Sequence, residues 1–256
     1  MGKENWEVAL DKFLIPWKKN KEVSGIIICG SYITGNPTKH SDVDIHIVLK
    51  KGCKWRERGN NIVDGILMEY FANPPEQIEK YLESDFKKRR QMDAHMFHTG
   101  KIILDKEGEV KRLKKLSKRY LDKKFKKITT YMYELGKYDL FDMSDNLEEV
   151  YLRKTLDFNF VYFNFLEDVL AIYSEFLSYY KTGEDNVYRF LTDKKSRKKY
   201  LISDFPDKIF LKKFVLAMKE KNKKKMLKRF TELSKYVLDK MGGFDIDGWK
   251  YKSNVE

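Results

Sequence analysis

The stretch IIICGSYITGNPTKHSDVDIHIVLK, residues 26–50, contains an apolar run, a polar turn-rich loop and a second apolar run that carries two aspartates. The first run ends at Gly30-Ser31, and the second opens with Asp42 and Asp44 at alternate positions. Side chains of a β-strand alternate between its two faces, so both aspartates share one face while the branched residues face the core. A buried carboxylate without a partner is costly, so the pattern predicts a cation beside this pair.

A third carboxylate lies in the next β-like run, which we predict as one strand over residues 61–72. Glu69 is enclosed by apolar residues in ILMEYF, whereas Asp64 has an odd offset from it and fits a bend or bulge with Gly65. If the two strands pair, three carboxylates converge and repel one another unless divalent cations neutralise them. Oxygen ligands favour Mg²⁺, and two such ions would activate an attacking hydroxyl and stabilise a leaving pyrophosphate.

The corner Gly30-Ser31 fits a phosphate site beside these acids. A glycine at the end of a buried strand lets the backbone approach a ligand closely. Backbone amides and the Ser31 hydroxyl, at the start of the following helix, can then hold phosphate oxygens.

The secondary-structure pattern changes along the chain. Up to about residue 105, helical segments alternate with β-like runs at residues 25–29, 42–49, 61–72 and 102–105. Beyond that point the pattern is helical, with one long helix predicted over 146–180 and broken by TGEDN at 182–186. Its part between 158 and 176 is apolar on nearly every side, which is typical of the central helix of a bundle. We therefore predict an α+β protein with two domains: a mixed sheet flanked by helices at residues 1–110, then an all-α bundle at 111–256.

The composition excludes several classes of protein. With 42% hydrophobic and 14% aromatic residues, the chain is not intrinsically disordered. It contains no apolar run near the roughly 20 residues that span a membrane, and its first ten residues lack a signal peptide's apolar core. Cys29 and Cys53 are too few for a disulfide framework and indicate a reducing compartment. We expect a cytoplasmic protein without membrane contact.

The net charge of +13 has two interpretations. Only 10 of the 52 basic residues are arginine, and lysine is the usual cation of a solvated surface. The alternative is a polyanionic partner such as RNA, since lysine and arginine neutralise phosphates. A basic surface would also attract a nucleoside triphosphate by long-range steering.

The ordered set GSYITG, SDVDIHIV and ILMEYF resembles the signature of the DNA polymerase β nucleotidyltransferase superfamily. That signature is Gly-Ser, two carboxylates two residues apart on a strand, and a third carboxylate on a neighbouring strand. Gly35 and Ser41 also match the form seen in antibiotic nucleotidyltransferases of the kanamycin and lincosamide type. The resemblance covers about residues 20–110, and the helical second half is similar in kind to the bundle appended in kanamycin-type enzymes.

This resemblance implies a fold, a site and a reaction. It assigns metal binding and catalysis to Asp42, Asp44 and Glu69, and nucleotide binding to Gly30, Ser31 and Ser41. The implied reaction transfers a nucleoside monophosphate, most often AMP from ATP, to a hydroxyl of a small acceptor, for example an aminoglycoside or lincosamide, and releases pyrophosphate. A polycationic aminoglycoside would need an acidic pocket in a basic chain.

Two alternatives to this reaction remain open. One is a transferase acting on tRNA or protein, and the other is a non-catalytic nucleotide- or RNA-binding module. The oligomeric state, monomer or homodimer, is left open.

Four further residues each have two interpretations. His46 shares the face of the aspartates and contacts the nucleotide or a metal-bound water, or it is a partly exposed strand histidine near the cleft. Arg89 lies in a basic run at a helix end, where cations oppose the helix dipole, or it binds triphosphate. Asp157 and Glu167 are hydrogen-bonded polar residues of the helical half, or one of them is the general base for the acceptor hydroxyl.

Overall fold

A computed structural model describes residues 4–35, 37–180 and 187–252, which divide into two compact units. The first unit contains the described residues up to Lys123 and the segment Lys198–Ile202, and the second contains the remainder. None of the helices in the described ranges combines the length and the apolar character that crossing a membrane requires.

The first unit is built on a sheet that contains five strands within the described residues. Its elements are α1 (Asn5–Lys19), β1 (Val23–Cys29), α2 (Gly30–Thr34), β2 (Val43–Leu49), β3 (Glu57–Val63), β4 (Ile66–Asn73), α3 (Pro75–Lys87), α4 (Met92–Thr99), β5 (Lys101–Asp105) and α5 (Glu109–Asp122). The strand order is β3-β4-β2-β1-β5. Strands β2 and β4 are parallel, while the other pairs are antiparallel, so the sheet is mixed. The predicted α+β class with a mixed sheet is confirmed.

The predicted single strand over residues 61–72 is wrong, because the chain forms a hairpin there. Strands β3 and β4 pair antiparallel up to Val63 and Ile66, and only Asp64 and Gly65 connect them. Both turn residues have positive φ, 50° and 77°, as a two-residue turn of type I′ requires. Asp-Gly is a favoured sequence for this turn, so the bend expected at Asp64 is the end of one strand and the start of another.

The central strands β1 and β2 are buried on both faces of the sheet, whereas the edge strand β3 is mostly exposed. Successive residues of β1 contribute to opposite sides. On one face, Ile26 and Ile28 pack in a cluster with Leu10 and Leu14 of α1. The other face forms a second cluster that draws residues from β1, β2, α3, α4 and α5: Ile27, Cys29, Val48, Ile78, Phe97, Val110 and Leu113. Because α5 belongs to this core, the first unit extends to Lys123, past residue 110, where the sequence pattern places the end of the first domain.

Helices are the regular secondary structure of the second unit within its described residues. The helices from residue 124 onward are α6 (Thr130–Arg153), α7 (Phe158–Phe176), α8 (Val187–Thr192), α9 (Lys194–Lys199), α10 (Lys208–Lys219) and α11 (Lys223–Lys240). The predicted continuous helix over 146–180 is wrong, because the chain leaves α6 at Lys154, which has φ of 56°, and restarts as α7. The predicted break at 182–186 lies outside the described residues. Helix α7 contacts α6, α10 and α11, yet Phe160 remains 71% exposed, so its apolar surface is not wholly buried.

Gly25 tests the packing of α5 against the sheet. A Cβ atom at this position would lie 2.2 Å from Val110 Cγ2 and 2.9 Å from the carbonyl oxygen of Leu104. We therefore expect Gly25→Ala to lower the free energy of unfolding by about 1–3 kcal/mol, measured by urea denaturation. The double variant with Val110→Ala should recover part of this loss, because it removes the nearer contact. An unchanged stability in the single variant would contradict the close packing.

Candidate active site

Strand pairing brings three carboxylates together at one edge of the sheet. Asp44 on β2 lies directly opposite Glu69 on β4 in the parallel register, and Asp42 immediately precedes β2. One carboxylate oxygen of each residue lies within 4.8 Å of those of the other two. All three residues are half-buried, so water screens their charges only in part.

The electrostatics of this cluster are unfavourable for the ionised acids alone. Burial, followed by the charges of Asp42 and Glu69, raises the pKa of Asp44 to about 7. Ionising the Asp44 carboxyl at neutral pH therefore costs free energy in the folded protein, and a nearby cation would offset this cost.

The donor set fits a hard divalent cation. Three carboxylates within reach of one ion provide the oxygen ligands that Mg²⁺ prefers. The neighbouring sulfur of Cys29, paired with Asp44 across β1 and β2, is buried, and burial raises its pKa well above the usual value. It therefore stays a thiol and does not offer the thiolate that softer metals prefer.

The corner at Gly30 is shaped by its contact with Asp44. Gly30 has φ of 73°, and a Cβ there would lie 1.8 Å from Asp44 Oδ2, so no larger residue fits without displacing that carboxylate. Ser31 follows in the first turn of α2 and is half-buried. The Ser41 hydroxyl accepts a hydrogen bond of 2.8 Å from the Thr38 amide, which closes the loop ahead of Asp42. The structure thus gives Ser41 a local role, and its contact with a nucleotide stays a prediction.

Arg58 of β3 is a part of the site that the sequence analysis missed. Its Nη2 atom donates to Glu69 Oε1 at 2.8 Å, and its guanidinium lies 4.8 Å from the centre of the Phe71 ring. Arg58 therefore gives one of the three acids a cationic partner already. The available signal was the pair Arg56 and Arg58 at alternate positions, in a chain where arginine is scarce.

His46 lies on the face of Asp44 but is buried, with 7% exposure, and the alternative of a partly exposed histidine is wrong. Its ring stacks on Phe71 at 5.2 Å and contacts Phe97 at 4.8 Å. Burial lowers the pKa of His46 to about 4, so the imidazole is neutral at pH 7. Its Nε2 atom has no hydrogen-bond partner among the described residues.

A cavity of about 640 Å³ extends from Asp44 and Glu69 along the same face of the sheet. It is closed by β2 and β4 below, the start of β3 at one side, and α3 and α4 above. Its lining residues are Asp44, His46, Arg56, Glu57, Arg58, Glu69, Phe71, Asn73, Ile78, Tyr81, Met92, Asp93, Met96 and Phe97. This size is typical of small-molecule sites.

The remaining candidates lie outside the carboxylate cluster. Arg89 is in the turn after α3, with φ of 55°, and does not line the cavity. Asp157 and Glu167 belong to the second unit, where both are exposed. A hydrogen bond from Thr155 lowers the pKa of Asp157. Their assignment to nucleotide binding or to a general base stays a prediction.

Comparison with known protein families gives a match for one part of the chain. Residues 15–109 match a family described as polymerase beta, nucleotidyltransferase. Comparison with curated proteins finds no match. Among solved structures, the chain is similar to a nucleotidyltransferase-like protein from Exiguobacterium sibiricum 255-15, with 11% identity and a TM-score of 0.47, over 92% of this chain and 75% of that chain. At that score the structural similarity carries no argument. The assignment to the polymerase β nucleotidyltransferases rests on the family match of residues 15–109.

The first prediction for this site concerns stability without metal. Because the folded-state pKa of Asp44 lies above its unfolded value, its ionised form destabilises the fold as pH rises from about 4 to 7, and the cost is complete above pH 7. We expect Asp44→Asn to raise the free energy of unfolding at pH 8 in EDTA by on the order of 1–4 kcal/mol. At pH 4 the difference should vanish. A less stable variant at pH 8 would contradict the repulsion.

The second prediction concerns the competition between Arg58 and a metal for Glu69. Removing a positive charge that lies 2.8 Å from Glu69 should strengthen divalent cation binding, so Arg58→Gln should reach half of its Mg²⁺-induced thermal stabilisation at a lower concentration. A shift of about two- to fivefold corresponds to a typical exposed ion pair. Arg112→Gln, which loses pairs with Glu79 and Glu109 elsewhere, is the matched control. Weaker Mg²⁺ binding in Arg58→Gln would show that the arginine supports the metal site.

Proposed function

Because residues 15–109 form a nucleotidyltransferase domain of the polymerase β superfamily, we propose that the protein transfers AMP from ATP to a hydroxyl of a small acceptor and releases pyrophosphate. One observation carries this proposal: the carboxylate oxygens of Asp42, Asp44 and Glu69 lie within 4.8 Å of one another, and Gly30 touches Asp44. Residues 1–110 are the proposed catalytic domain, and residues 111–256 the proposed helical domain. The acceptor classes proposed from the family resemblance are aminoglycoside- and lincosamide-type antibiotics.

The three acids would hold Mg²⁺, most simply two ions that share the aspartates. When bound, such ions polarise the transferred phosphoryl group and lower the pKa of the acceptor hydroxyl. Glu69 contributes a carboxylate whose position is set by Arg58 and by the register with β2. Gly30 contributes a backbone that comes close to the reacting centre without a side chain.

The strand order suggests which side each substrate occupies. β1 and β4 lie on opposite sides of β2, so the Gly30-Ser31 corner and Glu69 flank Asp44 from opposite directions. Phosphoryl transfer needs the attacking and leaving oxygens roughly in line. With the triphosphate at Gly30-Ser31, the acceptor hydroxyl enters from the side of Glu69, where the cavity is.

Two alternative functions would give experimental results that differ from those of this reaction. A transferase for tRNA or protein would need the macromolecule for turnover and would not modify small hydroxylated compounds. A non-catalytic module would bind nucleotide or RNA and release no pyrophosphate with any acceptor. The RNA binding of such a module would fall steeply with salt.

The test is an acceptor screen with labelled ATP and Mg²⁺ that measures both pyrophosphate and the nucleotidylated product. We expect Asp44→Asn to reduce turnover by about a hundredfold or more, because it removes a charge that faces the reacting centre. Asp64→Asn is the matched control, since Asp64 pairs with Lys12 at 2.7 Å and does not belong to the cluster. It should retain turnover within a few-fold of the unmodified protein. Full turnover in Asp44→Asn would remove the proposed site, and absence of pyrophosphate with every acceptor would favour the binding module.

A further inference from the structure

Arg56 lines the cavity beside the proposed reacting centre and differs from the other charged residues there. Its Nη1 atom donates to the Tyr81 hydroxyl of α3 at 2.6 Å, which holds the guanidinium in place with a neutral partner. Among the described residues that line the cavity, Arg58 is paired with Glu69, whereas Arg56 forms no ion pair with a carboxylate. A held guanidinium with free donors is a ready site for an oxyanion.

The acids near Arg56 are directed elsewhere. Glu57 is next in sequence, but its carboxylate accepts from the Tyr70 hydroxyl at 2.5 Å, and Tyr70 packs on Phe13 of α1. The Glu57 carboxylate is therefore on the opposite face of the sheet. On the helical side of the cavity, Asp85 Oδ2 accepts a hydrogen bond from the Asp93 amide at 3.1 Å, and burial, followed by the nearby charge of Asp85, raises the pKa of Asp93 to about 6.

The rest of the lining is mostly apolar and aromatic. Phe71 and Phe97 contribute rings, and Met92 and Met96 contribute flexible thioethers at the α4 side. Such a lining favours an apolar or flat portion of a ligand, and it offers little to a sugar that carries several ammonium groups.

We propose that Arg56 anchors an oxyanion of the acceptor, so that the acceptor is a hydroxylated molecule that carries a carboxylate, phosphate or sulfate. This inference rests on the proposed function, because it uses the acceptor side of the reaction. It deepens that function by naming a charge class, and it selects against both aminoglycosides and lincosamides, which are amines, as the acceptor. Glu69 repels such an acceptor less than a carboxylate without a partner would, since Arg58 pairs with it.

The test uses three small phenols that differ in the charge of one substituent: 4-hydroxyphenylacetate is anionic, tyrosol is neutral and tyramine is cationic. Their dissociation constants are measured by ligand-observed NMR titration at pH 7.5 with Mg²⁺ and without ATP, so no turnover is needed. We expect the anion to bind about tenfold or more tightly than the cation, as a charge-assisted hydrogen bond gives. Arg56→Gln should abolish this preference, and Tyr81→Phe should reduce it.

Lys54→Gln is the matched control, because Lys54 is an exposed cation two residues earlier that does not line the cavity. It should keep the preference for the anion. Tighter binding of tyramine, a preference that persists in Arg56→Gln, or no binding of any of the three phenols would overturn the inference. ATP affinity is measured in parallel, and a loss of ATP binding in Arg56→Gln would overturn it too, because Arg56 would then belong to the triphosphate site.

Failure of this inference and failure of the proposed function give different results. If the anion preference depends on Arg56 but no acceptor yields pyrophosphate, the oxyanion site stands and the reaction does not. If pyrophosphate release depends on Asp44 but anion and cation bind alike, the reaction stands and only the role of Arg56 is lost.

Discussion

The parallel pairing of β2 with β4 is the constraint on which the site depends. It sets Asp44 beside Glu69 whatever the repulsion between them, because the register is fixed by branched residues such as Ile45 and Ile47 that pack on the other face. A slip of one residue would exchange the two faces, so that those side chains would leave their cluster with α1 and the acids would turn toward it. The burial of apolar surface on both sides of the sheet therefore holds like charges together, as a site for a cation requires.

Part of this arrangement could be predicted from the sequence, because alternation in a strand is a local rule. It placed Asp42, Asp44 and Glu69 on shared faces, and Gly30 at the end of a buried strand. The hairpin was missed although Asp64-Gly65 is a recognised sequence signal for a two-residue turn, because the β-like residues continue on both sides of it and fit a single strand with a bulge. Arg58 was missed for a different reason: its partner lies on another strand, and only the register of β3 with β4 brings the two together. The division of α6 from α7 was missed because helical residues continue through Lys154, whose left-handed conformation ends the helix.

Lysine and arginine contribute very unequally to the basic character of this chain. Lysine supplies most of the +13 charge and lies largely on exposed helix faces such as that of α5. Arginine, with only 10 residues, forms ion pairs in both units, to Glu69, Glu79, Glu109, Glu149, Asp204 and Glu220, and lysines such as Lys12 and Lys87 form others. The net charge therefore says little about recognition, since most of it comes from lysines, many of them on exposed helix faces.

Arg56, just before β3, and Arg58, near its start, meet different partners. Their alternate positions place both on the face of the sheet that carries the acids, but Arg56 contacts Tyr81 of α3, whereas Arg58 reaches Glu69 of β4, which lies opposite the middle of β3. Arg58 forms an ion pair with Glu69, an acid of the cluster. Arg56 has a neutral partner, so its positive charge acts on the cavity that it lines. A single edge strand thereby adjusts the cluster's charge and sets the polarity of the adjoining cavity, and a substitution at either position would alter one property without the other.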